Sequence, residues 1–195
     1  MKLITKFIFA LALPLLAACA SSNVTSETAS VDYGKMAPIR LNASKIEVVS
    51  EYVPRGSAPS VDHMMDRNPQ LALVDWAKGR LRAAGNSGYA QVKVKDASVT
   101  SRVLEQEGGI SGYFTREQAE ELVARLEVDI TAENADQNFS GYTTIQVSQV
   151  LTVPEHATKD ERKAIERDLV NKLMDEFNNK AETGIRQHLN TVLIQ

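Results

Sequence analysis

The sequence predicts an α+β fold: a two-layer sandwich in which a four-stranded, mainly antiparallel sheet carries two helices on one face. Apolar residues alternate over residues 122–132 and again over 139–153, which is the period of β-strands. Apolar residues at near four-residue steps over 165–189 are typical of a helix with one buried stripe. The element order is strand, helix, three strands and helix, and one apolar face per element favours two layers.

The first strand and the first helix are predicted in the N-terminal half. Residues 39–53 are rich in β-branched and aliphatic side chains, with Ile46 and Val48 on one face of the strand. Asn68-Pro69 combines a capping residue with a proline in the first helical position, so a helix is expected to begin there. It is expected to run to about Ala84 and to end at Gly85 as a C-cap. Its apolar stripe comprises Leu73, Val74, Trp76, Ala77, Leu81 and Ala84.

The remaining strands and the second helix follow in order. Strand two is expected over 90–105, with a β-bulge where the apolar alternation changes phase at Asp96-Ala97. Leu122, Val123 and Leu126 could line a helix, but the alternation favours a strand over 122–133. This strand and residues 139–153 are expected to form a long antiparallel hairpin through a polar turn, with Pro154 ending the sheet. The capping box at 158–161 begins the long helix. The apolar end, 191–195, is expected to add to the sheet or pack on the body, with a partner-binding tail as the alternative.

The N-terminus is predicted to carry an export signal. Lys2 and Lys6 precede an apolar run over residues 7–18, which is too short to span a membrane and has the length of a signal h-region. The run ends in Leu16-Ala17-Ala18-Cys19, which resembles the lipobox of bacterial lipoproteins. That resemblance implies cleavage between Ala18 and Cys19 and lipidation of Cys19, the only cysteine in the chain. The predicted organisation is therefore a signal peptide (1–18), a flexible Ser/Thr-rich tether (19–37) and one α+β domain (38–195).

Lipidation defines the expected location. A lipoprotein of this kind carries three acyl chains, and two or more chains hold a protein stably on a membrane. Ala20 follows the cysteine, which by the enteric sorting rule favours the periplasmic face of the outer membrane; the inner membrane is the alternative. Cleavage removes two lysines and leaves 20 basic against 25 acidic residues. This acidic balance argues against nucleic acid as a partner.

The patterns of potentially catalytic and metal-binding residues favour a protein without a cofactor and without catalytic residues. The histidines His63, His156 and His188 lack metal-ligand spacing. The patch Asp62-His63-Met64-Met65-Asp66 could hold a soft metal, but a loop that packs its methionines on the sheet explains it better. The Gly109-Ile110-Ser111-Gly112 segment departs from the nucleophile-elbow pattern. Glu117, Glu120 and Glu121 are expected on a solvated face rather than as a carboxylate pair.

The element order and the lipobox together resemble two groups of envelope lipoproteins. One is the lipoprotein that plugs the lipopolysaccharide-assembly barrel, and the other is the auxiliary lipoprotein of lipid-moving ABC transport systems. Residues 76–81, 96–99 and 153–155 also resemble an uncharacterised group of proteobacterial lipoproteins. The resemblance implies a non-catalytic adaptor that binds an envelope protein or lipid. It supports transport or assembly of lipid or lipopolysaccharide, or serves as a periplasmic accessory subunit of an inner-membrane ABC system. An uncharacterised hydrolase or metal-binding protein is the alternative from another class.

Overall fold

A computed structural model describes residues 31–104 and 118–194 of the chain. Within these ranges the helices are α1 (Pro69–Arg80) and α2 (Lys159–His188). The strands are β1 (Ile39–Leu41), β2 (Lys45–Ser50), β3 (Leu81–Ala83), β4 (Tyr89–Asp96), β5 (Val99–Val103), β6 (Gln118–Asn134), β7 (Phe139–Pro154) and β8 (Leu193–Ile194). The predicted α+β class is confirmed, and the number and direction of the strands differ from the prediction.

The main sheet is built around β6. Strand β7 pairs with it along its whole length in an antiparallel register, from Asn134 opposite Phe139 to Gln118 opposite Pro154. On the other side, β4 and β5 follow one another along β6, both antiparallel to it. The register with β6 shifts between Val94 and Asp96, close to the predicted bulge at Asp96-Ala97. The single strand predicted over 90–105 is nevertheless divided into β4 and β5. The hairpin and its end at Pro154 are as predicted.

The first predicted strand is wrong as a single element. The chain forms β1 over 39–41 and β2 over 45–50, and these strands belong to two different sheets. Between them, Asn42 N donates to Val192 O and Ser44 N donates to Gly88 O, so the backbone changes partners there. Strand β2 pairs with β4 in parallel, which makes the main sheet mixed. A parallel pair needs a crossover connection, and the segment containing α1 supplies it.

The first helix is shorter than predicted. Asn68 caps α1 as expected, its side chain accepting from Leu71 N at 3.0 Å. The helix ends at Arg80 because Leu81–Ala83 form β3, which pairs in parallel with β1. Gly85 is therefore not a helix C-cap. Its absent side chain permits close approach to Asn42, because an added Cβ would lie 2.7 Å from the Asn42 carbonyl carbon. The buried face comprises Pro69, Ala72, Leu73, Trp76, Ala77 and Arg80.

The second helix matches the prediction closely. Thr158 and Glu161 form the capping box, with Glu161 N donating to Thr158 Oγ1 at 3.2 Å and Thr158 N donating back to Glu161 at 2.8 Å. The predicted stripe is buried from Leu169 onward, and Ile165 is half-buried. After α2, Val192 is buried and β8 pairs antiparallel with β1. The C-terminal segment thus packs on the body, in a small sheet ordered β3-β1-β8.

Both helices cover the same face of the main sheet. Side chains from α1, α2, β4, β6 and β7 fill the layer between them, and the largest fully buried ones include Trp76, Phe177, Leu73, Leu126 and Ile130. The packed region begins before the predicted boundary at residue 38, because Tyr33 is buried in a short 3-10 turn (Tyr33–Lys35). Gly79 allows this packing, since a Cβ there would lie 2.8 Å from the Cβ of Tyr33.

Candidate binding surface

The face of the main sheet opposite the helices is not covered by any element of residues 31–104 or 118–194. We call it the open face. Strand alternation places every second residue on it, and those of β7 are all exposed from Ser140 to Thr152. The residues of the neighbouring strands on this face are mostly polar and half-buried, including Gln91, Lys93 and Thr131. This exposed and mostly polar face is therefore available for contact with another molecule.

Charges on the open face are paired between strands. Lys95 Nζ lies 2.7 Å from Asp129 Oδ2 and 3.9 Å from Glu127 Oε1. The hydrogen bond to Asp129 raises the pKa of Lys95. Partial burial opposes ionisation of Asp129, but hydrogen bonds from Lys95 and Thr144 outweigh it and lower the pKa of that carboxyl. Cross-strand pairs of opposite charge stabilise a sheet and leave little net charge along this part of the face.

A hydrogen-bond chain spans the edge of the open face at β2. The Tyr89 hydroxyl donates to Glu47, and Gln91 Nε2 donates to the Tyr89 oxygen at 3.1 Å. The bonds from Tyr89 and then Lys45 lower the pKa of Glu47, and the bond to Glu47 raises the pKa of Tyr89. These groups are therefore held in complementary protonation states, Glu47 as a carboxylate and Tyr89 as a phenol. Such a pattern positions side chains on a surface and supplies no group poised to exchange a proton near neutral pH.

A groove of about 270 Å³ lies beside the irregularity between β4 and β5. Asp96, Arg125, Glu127, Gln146 and Ser148 are among the residues that line it. Asp96 Oδ1 accepts from Ser98 N at 3.0 Å, which fixes the bend, and Arg125 N donates to Ser98 O at 2.8 Å. The bend therefore opens a shallow polar depression beside β6 and β7. Its mixed charges suit the polar contacts of a protein surface.

The outer edge of β7 bounds the open face. We define the β7 rim as the alternating residues Ser140, Tyr142, Thr144, Gln146, Ser148, Val150 and Thr152, all exposed. Strand β7 pairs only with β6 among the described strands, so this side of β7 is a sheet edge. The rim has no charged side chain. Tyr142 and Val150 are its large apolar members, exposed by 68% and 49%.

On the helix side, charged groups tie elements together. Arg162 at the start of α2 hydrogen-bonds Glu120 on β6, with Nη2 to Oε1 at 2.9 Å, and its Nε donates to Glu166 at 3.0 Å. Ser101 on β5 also donates to Glu120. The Arg162 hydrogen bond outweighs partial burial and lowers the pKa of Glu120. This cluster fastens the long helix to β5 and β6.

The structure separates the members of the predicted patch at 62–66. Asp62 is buried, and Ser60 Oγ donates to it. Burial, followed by the adjacent Asp62, raises the pKa of the Tyr52 hydroxyl to about 12. Met65 is buried in the core, whereas His63 and Met64 are exposed. The expectation of a loop that packs both methionines is thus correct for Met65 and wrong for Met64.

The other predicted polar residues do not converge. His156 and His188 are exposed, the first three residues before α2 and the second at its end. Glu120 is half-buried and pairs with Arg162 of α2, so the expectation that it lies on a solvated face is wrong. Glu121 pairs with Arg102 at 2.9 Å. Within 31–104 and 118–194, no three His, Cys, Asp or Glu side chains lie together as a metal site would require. The lipobox with Ala18 and Cys19, the 109–112 segment and Glu117 lie outside the described residues.

Sequence reasoning missed a buried polar network between the helices. Asn178 Oδ1 accepts from Trp76 Nε1 at 2.9 Å and from Arg80 Nε at 3.1 Å. Arg80, only 2% exposed, also donates to Glu182 at 2.6 Å and to Ala37 O. The one available signal was an arginine on the apolar side of α1, four residues after Trp76. The network fixes α1 against α2 on the helix side of the sheet.

Comparison with known proteins gives several structural likenesses, among them the following two. No protein-family model matches the chain, and no curated protein matches it. A minor lipoprotein from Acinetobacter baumannii has 12% identity and a TM-score of 0.36, with 71% of this chain and 91% of that chain covered. A Xanthomonas campestris protein of family DUF330 has 10% identity and a TM-score of 0.31, covering 77% of this chain and 91% of that chain.

One of these two structures is a bacterial lipoprotein, the class that the N-terminus of this chain resembles. Both TM-scores are below the level that indicates a shared fold, so functional inference rests on the residues of this chain. Among the described residues, no helix has the length and apolar character needed to cross a bilayer.

Proposed function

We propose that this protein is a lipid-anchored, non-catalytic adaptor of the bacterial envelope, held through Cys19 at the periplasmic face of the outer membrane. The observation that carries the proposal is a lipobox followed by a domain whose main sheet has an open polar face. A covered sheet would leave only helix surfaces for binding. Here the helices lie on one side of the main sheet. On the other side, the sheet is uncovered across its full width, from β2 through β4, β5 and β6 to β7.

The state of the ionisable groups supports binding rather than catalysis. Carboxylates with lowered pKa values, such as Glu120 and Asp129, are paired with basic groups of neighbouring elements. Raised tyrosine pKa values at Tyr33 and Tyr52 keep those phenols protonated at neutral pH. A general acid or base works best with a pKa near the working pH and with access to substrate. The pKa values of these carboxyls and phenols are instead shifted away from neutral pH, and the paired carboxylates hold neighbouring elements in place.

The packing of the helix–sheet layer favours a protein adaptor over a lipid carrier. A carrier needs an apolar cavity large enough for acyl chains. In the described part of the chain, Trp76, Phe177 and aliphatic side chains fill the centre of that layer. A cleft of about 470 Å³ lies between α2 and β7, but it is open and lined mainly by polar residues such as Thr143, Asn179 and Gln187. We infer that the adaptor supports lipid or lipopolysaccharide transport or assembly by contacting a protein component of that machinery.

The test is site-specific photo-crosslinking of the full-length protein in its own cells. A photoreactive residue replaces Thr131, which lies on the open face in β6 between Gln91 of β4 and Tyr142 of β7. The matched control replaces Gln187, which is exposed on α2. The proposal predicts that the Thr131 probe captures an envelope protein in clear excess over the Gln187 probe. A barrel protein would indicate outer-membrane assembly, and a transporter subunit would indicate the inner-membrane alternative. Capture of lipid alone, or equal capture by both probes, would overturn the adaptor proposal.

A further inference from the structure

The outer edge of β7 carries unpaired backbone groups. Lys180 Nζ donates to the carbonyl oxygen of Gln146 at 3.2 Å, so this carbonyl points away from β6. In an antiparallel ladder, a residue directs its N–H and C=O to the same side, and successive residues alternate. The pairing of β7 with β6 is regular from Phe139 to Val153, so the backbone groups of the whole β7 rim point outward. Apart from the Lys180 contact, no described group hydrogen-bonds them.

This edge has little of the usual protection against strand pairing, the contact from Lys180 apart. Exposed edge strands of monomeric proteins are commonly short, or carry charges, prolines or bulges that prevent another strand from adding. The rim extends over 13 residues, about 40 Å of strand. It has no charged side chain and no register shift, and Pro154 lies beyond its end. Lys180 covers one carbonyl from outside the strand and stays paired with Glu176 at 2.8 Å.

The rim is also complementary to itself. When two copies of β7 run antiparallel about a two-fold axis at Gln146, Tyr142 of each copy faces Val150 of the other. The same register places Ser140 opposite Thr152 and Thr144 opposite Ser148, and it brings the two Gln146 side chains together. Aromatic and β-branched residues stabilise a sheet when they lie opposite each other. This arrangement pairs the two large exposed apolar side chains of the rim with each other.

We propose that two copies of this chain associate through their β7 rims in this register, which joins the two main sheets into one continuous sheet. The pairing forms about 14 backbone hydrogen bonds, two for each pair of facing rim residues. It requires each Lys180 to release Gln146 O, while Glu176 remains as the partner of that lysine. Only the edge of β7 is used, so the centre of the open face stays accessible, and the association goes beyond the proposed adaptor function.

The test is disulfide trapping of the full-length protein in its native membrane. Residues paired across a two-fold axis lie about 5.5 Å apart between Cα atoms, within the range that a disulfide spans. Gln146→Cys is therefore expected to give a covalent dimer under mild oxidation. Asp136→Cys, at the exposed tip of the β6–β7 hairpin, is the matched control. The dimer yield of Gln146→Cys should exceed that of the control at least fivefold, and mass spectrometry should find the peptide containing residue 146 linked to itself.

A second variant distinguishes dimers formed in the proposed register from disulfides formed when two molecules collide at random. Adding Val150→Lys to Gln146→Cys places a charge opposite Tyr142 and should reduce the dimer yield to the control level. Val150 is exposed, so the fold should survive, and far-UV circular dichroism checks this. A dimer yield equal to that of the control, a yield that Val150→Lys leaves unchanged, or a disulfide from residue 146 to a different protein would each overturn the proposal. Capture by the Thr131 probe is independent of all three results.

Discussion

Asn178 satisfies two buried donors at once, and its replacement tests the account of the helix–helix interface. In Asn178→Leu the side chain keeps its approximate volume and loses the oxygen that accepts from Trp76 and Arg80. A buried neutral donor without a partner costs about 1–3 kcal/mol, and a lost hydrogen bond to a charged group about 1.5–3 kcal/mol. Arg80 retains Glu182 and Ala37 O, so the expected loss of unfolding free energy is about 3–5 kcal/mol.

The assay is urea unfolding of the full chain in mild detergent. Trp76 is the only tryptophan and lies against Phe177 with ring centroids 4.9 Å apart, so its fluorescence reports this interface. Far-UV circular dichroism provides a second signal. Asn179→Leu, at the adjacent exposed position, is the control and should change the stability by less than about 0.5 kcal/mol. The reasoning is refuted if the two leucine variants have equal stability.

Three further outcomes are expected. Gly79→Ala should lower the unfolding free energy by about 1–3 kcal/mol despite its better helix propensity, because the new Cβ meets Tyr33; increased stability would contradict this close packing. Glu120 has a lowered pKa through Arg162, so the stability difference between the wild type and Glu120→Gln should be largest near neutral pH and shrink below its ordinary pKa of 4.5; a constant difference would argue against the pair. Burial and Asp62 raise the pKa of Tyr52 to about 12, so ultraviolet titration of Tyr52→Phe should show one late-ionising phenol fewer than titration of the wild type. Between about pH 10 and pH 12 the variant should also lose less unfolding free energy than the wild type.

Local patterns in the sequence predicted the long elements well. The alternation in β6 and β7 and the capping box of α2 are signals carried by neighbouring residues, and the structure has these elements close to the predicted bounds. Leu81 fitted the helical stripe of α1 equally well, yet it belongs to β3. That outcome depends on β1, some forty residues earlier in the chain, with which β3 pairs. Long-range pairing of this kind overrides local propensity and leaves no local signal.

The binding surface was harder to predict than the fold. The alternating charges Lys93 and Lys95 and the acidic Glu127 and Asp129 are visible in the sequence, but their pairing depends on the register between β4 and β6. The absence of charge along the β7 rim is also a sequence property. It matters for binding because β7 is the edge strand among the described strands of the main sheet, and that position is set by the topology of the fold. The buried Arg80 network likewise requires α1 and α2 to be in contact.

The central claim, that this domain works from a lipid anchor at Cys19, is tested most directly by the mass of the mature N-terminus. Protein purified from membranes of its own cells would be digested, and the N-terminal peptide analysed by mass spectrometry. The expected peptide begins at Cys19 and carries a diacylglyceryl group and an amide-linked acyl chain, and the Cys19→Ala variant is expected to be absent from the outer-membrane fraction. An unmodified peptide that begins at another residue, from protein released by osmotic shock, would contradict it.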